Sequence, residues 1–378
     1  MTTTWMFLIV FNFISHTSTT TTTSSIFVES KKAKTTTRKL TPYDTSRYLN
    51  ICVSTHPVAS RNLKLINKNH HRALQWLLQT SGERSIVGET THQHRAACWM
   101  LYGNSPKSSS SSSSTAATTT TANKMMDKKL VVKAPSQQFA QRYALAVLYY
   151  ATQGDEKWEI KTNWMSGAHE CSWYGVVCGD TPLDRHTVVG LDLGFNQLNG
   201  LLPRELALLQ NIVEVDVHGN DLQGIIPHGI MYAWKKCKIL RLHMNGFFGD
   251  LHSEIGHMVA LEELHLFGNY LGGTLPKELA KLSKLRVLDV YANAFEGIIP
   301  SQLGTLKDLK ELDVHDNFFI GSMPRAICDR KLKFLVADCL EGAYKETGCT
   351  CCTICCEELP NMKCIDQATG KEVIVGMQ

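Results

Sequence analysis

Apolar residues recur along this chain with a period of about 24 residues between positions 188 and 325. In each unit two apolar residues flank one polar residue, as in Leu191-Asp192-Leu193, and an asparagine follows three positions later. The asparagines are Asn196, Asn220, Asn245, Asn269, Asn293 and Asn317, with steps of 24, 25, 24, 24 and 24 residues. Alternation of this kind predicts a short strand whose side chains point to opposite faces. A strand repeated at a constant period predicts stacked units that form a solenoid.

The rest of each unit predicts a turn after the strand and a segment that leads back to the next repeat. After the asparagine come an apolar residue, a glycine and usually a proline, as in Phe295, Gly297 and Pro300, whereas His252 takes the proline's place in the third unit. The asparagine amide both donates and accepts hydrogen bonds, so we expect a buried ladder of amides that satisfies backbone groups in the turn. Glycine permits a positive φ, and proline fixes the returning segment.

The predicted fold is an α/β solenoid, a right-handed superhelix of about six 24-residue repeats, with a partial seventh near 332–335. A helical N-terminal cap and a disulfide-rich C-terminal cap should close it. The predicted segments are a signal peptide at 1–18, a low-complexity disordered segment at 19–69, short helical segments at 70–105, a Ser/Thr-rich linker at 106–133, the N-terminal cap at 134–187, the repeats at 188–327, the Cys-rich C-terminal cap at 328–364 and a tail at 365–378.

The N-terminus and the cysteines both indicate an oxidising compartment. The apolar run from Trp5 to Ile14 has the length of a signal peptide and is followed by the small residues Ser15 and Thr17. The chain has 13 cysteines, and they crowd the two ends of the repeats. We therefore expect a secreted or cell-surface protein. An uncleaved N-terminal membrane anchor is the alternative, because no Lys or Arg precedes the run.

Charge and motifs exclude several functions. The formal net charge is +4, and no basic stripe interleaved with aromatic residues predicts nucleic-acid binding. No nucleophile motif, phosphate-binding glycine loop or His-Glu-x-x-His sequence is present, so we expect neither an enzyme nor a cofactor. Asp289 and Asp313 could be imagined as a glycosidase pair, but an open sheet excludes water poorly.

The repeat motif resembles the plant-type leucine-rich repeat, most clearly over 196–203 and 293–300. The N-terminal cap resembles that family too, in Trp164 and in Cys171-Ser172-Trp173-Tyr174-Gly175-Val176-Val177-Cys178. This resemblance implies a disulfide between Cys171 and Cys178, with Trp173 covering the first repeat. It also implies that the helix ending at Tyr150 lies over the same end.

The C-terminal cysteines resemble a variant cap. Ala337-Asp338-Cys339 and the cysteines of 349–356 are similar to the caps of secreted or receptor-like leucine-rich-repeat proteins of microalgae. The resemblance covers residues 70–356 and includes no kinase-like segment, which implies the ligand-binding half of a receptor-like protein. We expect disulfides of open pairing among Cys328, Cys339, Cys349, Cys351, Cys352, Cys355, Cys356 and Cys364. A thiolate metal cluster is the alternative, and Cys237, in a leucine position, should be a buried free thiol.

The candidate binding surface is the concave face of the strands, where polar and aromatic residues flank the second buried position. We expect ligand contacts from Asp216, His218, Arg241, His243, His265, Phe267, Asp289, Tyr291, Asp313 and His315. Phe267 beside Tyr291 is predicted to be exposed, which solubility alone would not favour. The plainer interpretation is that open strand positions are filled by soluble residues. A metal held by His218, His243, Asp216 and Asp289 is weakly indicated, because the period alone brings them together, and we expect none.

These features predict a non-catalytic recognition protein. Its partner should be an extracellular protein, peptide or glycan, with no nucleic acid, and with a membrane only if the N-terminal segment is an uncleaved anchor. A structural or adhesive matrix protein is one alternative. An inhibitor of a secreted hydrolase, as some plant-type relatives are, is another.

Overall fold

The computed structural model describes residues 91–102, 137–340, 347–357 and 363–375. The predicted signal peptide, the segment at 19–69, the helical pattern at 71–78 and the linker at 106–133 lie outside the described residues. Within them, the α-helices are α1 (His92–Tyr102), α2 (Gln137–Ala151), α3 (His228–Ala233) and α4 (Arg325–Cys328). Short 3-10 helices occupy Glu170–Ser172, Arg204–Leu208, Ser253–His257, Lys277–Lys281 and Ser301–Thr305.

The strands follow the repeat period. They are β1 (Val176–Cys178), β2 (Val188–Asp192), β3 (Asn199–Leu201), β4 (Glu214–Asp216), β5 (Asp221–Gly224), β6 (Ile239–Arg241), β7 (Gly246–Asp250), β8 (Glu263–His265), β9 (Tyr270–Gly273), β10 (Val287–Asp289), β11 (Ala294–Gly297), β12 (Glu311–Asp313), β13 (Phe318–Phe319), β14 (Gly321–Ser322), β15 (Phe334–Asp338), β16 (Thr347–Gly348), β17 (Ile354–Cys356), β18 (Cys364–Asp366) and β19 (Glu372–Val373).

One strand from every repeat enters a long sheet, which we call the main sheet. Its order is β1-β2-β4-β6-β8-β10-β12-β15-β17-β18-β19. Pairing from β2 to β17 is parallel, and in each repeat the same position meets its equivalent, as Leu264 meets Leu240 and Leu288. The inward leucines are at most 1% exposed. The α/β solenoid predicted from the period is confirmed, because only stacking of units buries these side chains.

A second strand from each repeat forms a six-stranded parallel sheet, the side sheet, in the order β13-β11-β9-β7-β5-β3. Strand β5 ends at Gly224, where the backbone requires a glycine. Its φ is 83°, and a Cβ there would lie 2.7 Å from Leu201 Cδ2. The side sheet leaves large apolar side chains exposed, among them Phe248, Tyr270, Ile298 and Phe318.

The N-terminal cap packs α2 and three tryptophans over the first repeat. Trp173 is 2% exposed and lies beside Trp164, with ring centroids 4.9 Å apart. Cys171 and Cys178 are bonded, as the resemblance implied. Arg142 pairs with the fully buried Glu170 at 3.1 Å, which the sequence did not predict because neither residue belongs to the apolar pattern.

The C-terminal cap continues the main sheet. β15, the predicted partial repeat, pairs in parallel with β12, and β17 adds a further parallel strand. β18 and β19 form an antiparallel end that runs past residue 364, where the sequence placed a tail. The disulfides in this cap are Cys328–Cys351, Cys339–Cys355, Cys349–Cys352 and Cys356–Cys364. All eight cysteines expected to form disulfides are therefore paired, which excludes the alternative of a thiolate metal cluster. Cys237 is free and fully buried, as expected, and burial raises the pKa of its thiol to about 12.

Candidate ligand-binding face

The strand register of the main sheet brings the predicted site residues into two columns. In the outer column Asp216 pairs with Arg241, Arg241 with His265, His265 with Asp289, and Asp289 with Asp313. The inner column lies two residues further along the chain, just beyond the end of each strand, and contains His218, His243, Phe267, Tyr291 and His315. Neighbouring parallel strands lie about 4.8 Å apart, so each column places equivalent side chains in contact.

The inner column is a continuous stack of rings, which we call the ring column. Centroid separations are 4.5 Å from His218 to His243, 4.2 Å to Phe267, 4.5 Å to Tyr291 and 4.7 Å to His315. The planes of successive rings are inclined by 9° to 22°, so the rings face one another and turn their edges outward. Stacking of this kind adds about 0.5–1.5 kcal/mol per aromatic pair beyond the burial of apolar area.

The ring column is more buried than the sequence predicted. Phe267, expected to be exposed, is only 8% exposed, and His243 and His315 are 9% and 1% exposed. The expectation was wrong because each ring covers the face of the next. The alternation of residues along one strand does not predict contacts between rings on different repeats. His218 and Tyr291 are half-buried and leave part of their surface open.

Phe195 extends the ring column at its N-terminal end, and the sequence did not single it out. Its ring meets His218 edge to face at 4.6 Å, and 62% of the residue is exposed. Gly194 holds the equivalent place in the column, where a Cβ would lie 2.6 Å from His218 Cε1. In the sequence, Gly194 is the one glycine at a position that carries a ring in the other repeats. That glycine could have indicated Phe195, because it leaves room for a neighbouring side chain.

The asparagine ladder lies directly behind the ring column. Asn269 Nδ2 donates to the carbonyl oxygens of Leu242, Leu266 and Phe267, and its Oδ1 accepts from the Phe247 N–H at 3.0 Å. Each of the other four asparagines from 220 to 317 likewise donates to the carbonyl of the ring residue two positions before it. The ladder therefore fixes the backbone from which each ring projects. Four of its six asparagines are at most 8% exposed, namely Asn196, Asn220, Asn269 and Asn317.

Arg241 neutralises carboxylates in and beside the first half of the outer column. It lies 2.5 Å from Glu214, 3.7 Å from Asp216 and 3.7 Å from Glu263. The face is thus less acidic there than the count of carboxylates suggests, because one guanidinium contacts three of them.

The second half of the outer column contains two neighbouring carboxylates, Asp289 on β10 and Asp313 on β12. Asp289 lies 3.6 Å from His265, its Oδ1 is buried with no hydrogen-bond partner, and Asp313 is its neighbour on β12. Burial raises the pKa of Asp289, and the charge of Asp313 raises it further, while the hydrogen bond with His265 opposes the rise.

The histidines of the ring column have different electrostatic surroundings. Burial, together with the charges of the neighbouring His218 and His265, lowers the pKa of His243 to about 4. For His315 burial also lowers the pKa, but the contact of its Nδ1 with Asp313 Oδ1 at 2.5 Å and the charge of Asp338 more than reverse that, so the net shift is upward. His218 contacts Asp216 in the same way as His315 contacts Asp313, at 2.5 Å.

Asp338 ends the asparagine ladder. Its Oδ2 accepts from the Asn317 N–H at 3.4 Å, and its Oδ1 is buried without a partner. Burial raises the pKa of this carboxyl to about 6. From the sequence, Asp338 was placed only in the cap motif Ala337-Asp338-Cys339. Its position at the end of the ladder depends on the pairing of β15 with β12.

Part of this chain matches known proteins. A family model described as Leucine Rich Repeat matches residues 260–282. The LRR receptor-like serine/threonine-protein kinase GSO2 of Arabidopsis thaliana is 31% identical over 105 residues, which is 28% of this chain and 8% of that protein. Leucine-rich repeat extensin-like protein 7 of Arabidopsis thaliana is 41% identical over 68 residues, 17% of this chain and 15% of the relative. The match thus spans a small part of either relative's length.

Among solved structures, Pollen Receptor Kinase 3 is 29% identical, with a TM-score of 0.40, over 43% of this chain and 77% of that one. The assignment of the fold is based on the strand register of this chain and not on that similarity. The family match identifies a leucine-rich repeat within this chain, at 260–282. The relatives that match are plant receptor-like and extensin-like leucine-rich-repeat proteins, in agreement with the predicted resemblance to the plant type. The finer likeness of the C-terminal cap to microalgal proteins stays a prediction.

In the described ranges, no helix is both long enough and apolar enough to cross a bilayer.

Proposed function

We propose that this chain is a non-catalytic recognition protein, and that it binds an extracellular peptide, protein or glycan through the ring column and the outer column of the main sheet. The observation that carries the proposal is the unbroken stack from His218 to His315. A row of ring edges held by a hydrogen-bonded ladder is a rigid surface, and rigid surfaces lose little entropy when a ligand binds.

Charge next to the rings supports a ligand with basic or polar groups. Asp289 and Asp313 lie on neighbouring strands and face the same side as Tyr291. Two carboxylates beside the open part of the Tyr291 ring favour a ligand that carries a basic group.

The extracellular location is part of the same proposal. Five disulfides lie in the two caps, and disulfides persist in oxidising compartments. The receptor-like and extensin-like names of the relatives agree with recognition outside the cell, although the match covers little of each relative.

The test is affinity capture from native extracellular fluid with the full chain as bait, followed by mass spectrometry. Tyr291→Ala and Arg241→Ala should each reduce capture of one dominant partner at least tenfold. Phe318→Ala is the matched control, because that aromatic residue is 59% exposed on the side sheet and should leave capture unchanged. Circular dichroism of each variant checks that the fold is intact.

Other outcomes would oppose the proposal. Many partners bound equally by all variants would indicate an adhesive matrix protein. Inhibition of a panel of secreted hydrolases by the wild-type chain would indicate an inhibitor.

A further inference from the structure

Three side chains with metal-binding atoms meet where the second and third repeats stack, away from the ring column. They are His228, at the start of α3, and His252 and Glu254, at the start of the next 3-10 helix. One ligand atom from each lies within 4.8 Å of the others. The imidazole rings are 4.1 Å apart at 81°, and His252 Nδ1 contacts Glu254 Oε2.

The third repeat departs from its neighbours at this point. The position of His252 is occupied by proline in the other units, namely Pro203, Pro227, Pro276, Pro300 and Pro324. The backbone does not require the change, since His252 has φ −71° and ψ 149°, close to the φ −70° and ψ 129° of Pro276. A residue that suits the turn no better than proline, and that lies against another histidine, points to a role for its side chain.

The other clusters of possible metal ligands in the described ranges have lost their thiols to disulfides. His315 lies near Cys356 and Cys364, which are bonded to each other. In the remaining cluster Cys349 is bonded to Cys352, and Cys339 to Cys355. Among the residues that the structure describes, the cluster at His228 is the one whose three donor groups are not in disulfides.

Two imidazoles and one carboxylate are a donor set that suits Zn²⁺. Zinc–ligand bonds of about 2.0–2.2 Å place tetrahedral ligands about 3.4 Å apart, so the three side chains need only small rotations to bind one ion. Such rotations are open to them, because the side chains of His252 and Glu254 are 42% and 34% exposed.

We propose that His228, His252 and Glu254 form a zinc site that joins the second and third repeats, with water at the fourth position. The ion would cross-link two neighbouring units of the solenoid, so it should stabilise the fold by binding the native state alone. This site is separate from the proposed ligand-binding face and does not depend on it.

The test uses Zn²⁺ alone with the full-length chain, measured by isothermal titration and by competition with a chromophoric chelator. We expect about one tight equivalent and a rise in melting temperature with Zn²⁺. His252→Pro, which restores the residue of the other repeats, and Glu254→Gln should each weaken binding at least tenfold, since even outer-shell changes cost about 10–100-fold. Both variants should also lose the rise in melting temperature.

Two neighbouring histidine variants are controls. His257→Ala removes a ring that contacts Tyr232 and the Glu254 carbonyl outside the cluster. His186→Ala removes one ring of the His169–His186 pair in the N-terminal cap. Both should bind Zn²⁺ as the wild type does. The proposal is overturned if the wild type binds no Zn²⁺ at 100 times the chain concentration, if His252→Pro binds equally well, or if His186→Ala is the variant that loses the ion.

Discussion

Phe267 and Tyr291 stack face to face, with ring centroids 4.5 Å apart and planes inclined by 9°. On its other side Phe267 stacks on His243, so this buried ring is held between two others. Phe267 therefore stabilises the face, whereas the half-buried Tyr291 has surface left to meet a ligand. The two aromatic residues that look equivalent in the sequence therefore differ in burial.

Replacing Phe267 with alanine should lower the free energy of unfolding by about 3–5 kcal/mol, because a buried ring and two stacking contacts are lost. Urea denaturation at pH 7 measures the change. Phe248→Ala is the control, since Phe248 is 53% exposed on the side sheet and should change stability by less than about 1 kcal/mol. Equal losses in the two variants would contradict the packing described for the ring column.

Replacing Asn269 with leucine should cost roughly 1–3 kcal/mol for each buried partner left without a hydrogen bond, so the chain should be clearly destabilised. Four backbone groups depend on this amide, including the Phe267 carbonyl and the Phe247 N–H. Gln210→Leu, at an exposed position outside the ladder, is the matched control. A neutral result for Asn269→Leu would mean that the ladder does not determine stability.

Replacing Asp338 with asparagine should stabilise the chain at neutral pH. The folded carboxyl has a pKa of about 6, above its ordinary value of 3.8, so the fold favours the protonated form. The stability that this group contributes is present below pH 3.8 and is lost as the pH rises through 6, by up to about 3 kcal/mol. Unfolding at pH 3.5 and 7.5 should show a gain for the variant only at the higher pH. An equal gain at both values would contradict the assignment.

His243 should make the opposite contribution to the pH dependence. Its pKa of about 4 in the fold lies below the ordinary 6.5, so the fold favours the neutral ring. Its contribution is present above pH 6.5 and is lost as the pH falls towards 4, amounting to about 2 kcal/mol between pH 7 and pH 5. His243→Phe keeps a ring in the stack but removes the titration, so its unfolding free energy should fall less over that interval. If the variant loses as much stability as the wild type, His243 is not the group responsible.

Reduction of the disulfides should lower the melting temperature. Cys328 and Cys351 are 23 residues apart in sequence, and opening a loop of that size costs about 3 kcal/mol in the chain-entropy description. The double variant Cys328→Ser with Cys351→Ser should reproduce part of the shift seen with dithiothreitol. Cys237→Ser is a control for the loss of a thiol without the loss of a disulfide. An unchanged melting curve after complete reduction would show that the cap cystines do not stabilise the repeats.

The sequence by itself determined the solenoid, its inward leucines, the asparagine ladder and the buried thiol of Cys237. These features depend on a turn that every repeat makes in the same way, so the period of about 24 residues carries them. It also placed the ten site residues in two columns, because a constant period brings equivalent positions onto neighbouring strands.

Only the tertiary structure decided which of those side chains are buried and which partners they contact. The burial of Phe267 and His315 depends on rings from neighbouring repeats, and the partners of Arg241 lie on the two strands beside its own, β4 and β8. The pairing of the C-terminal cysteines depends on how the cap folds back on the last repeat. These contacts join side chains of different repeats, so they depend on how the repeats pack. The alternation of residues along one strand predicts only which face a side chain lies on.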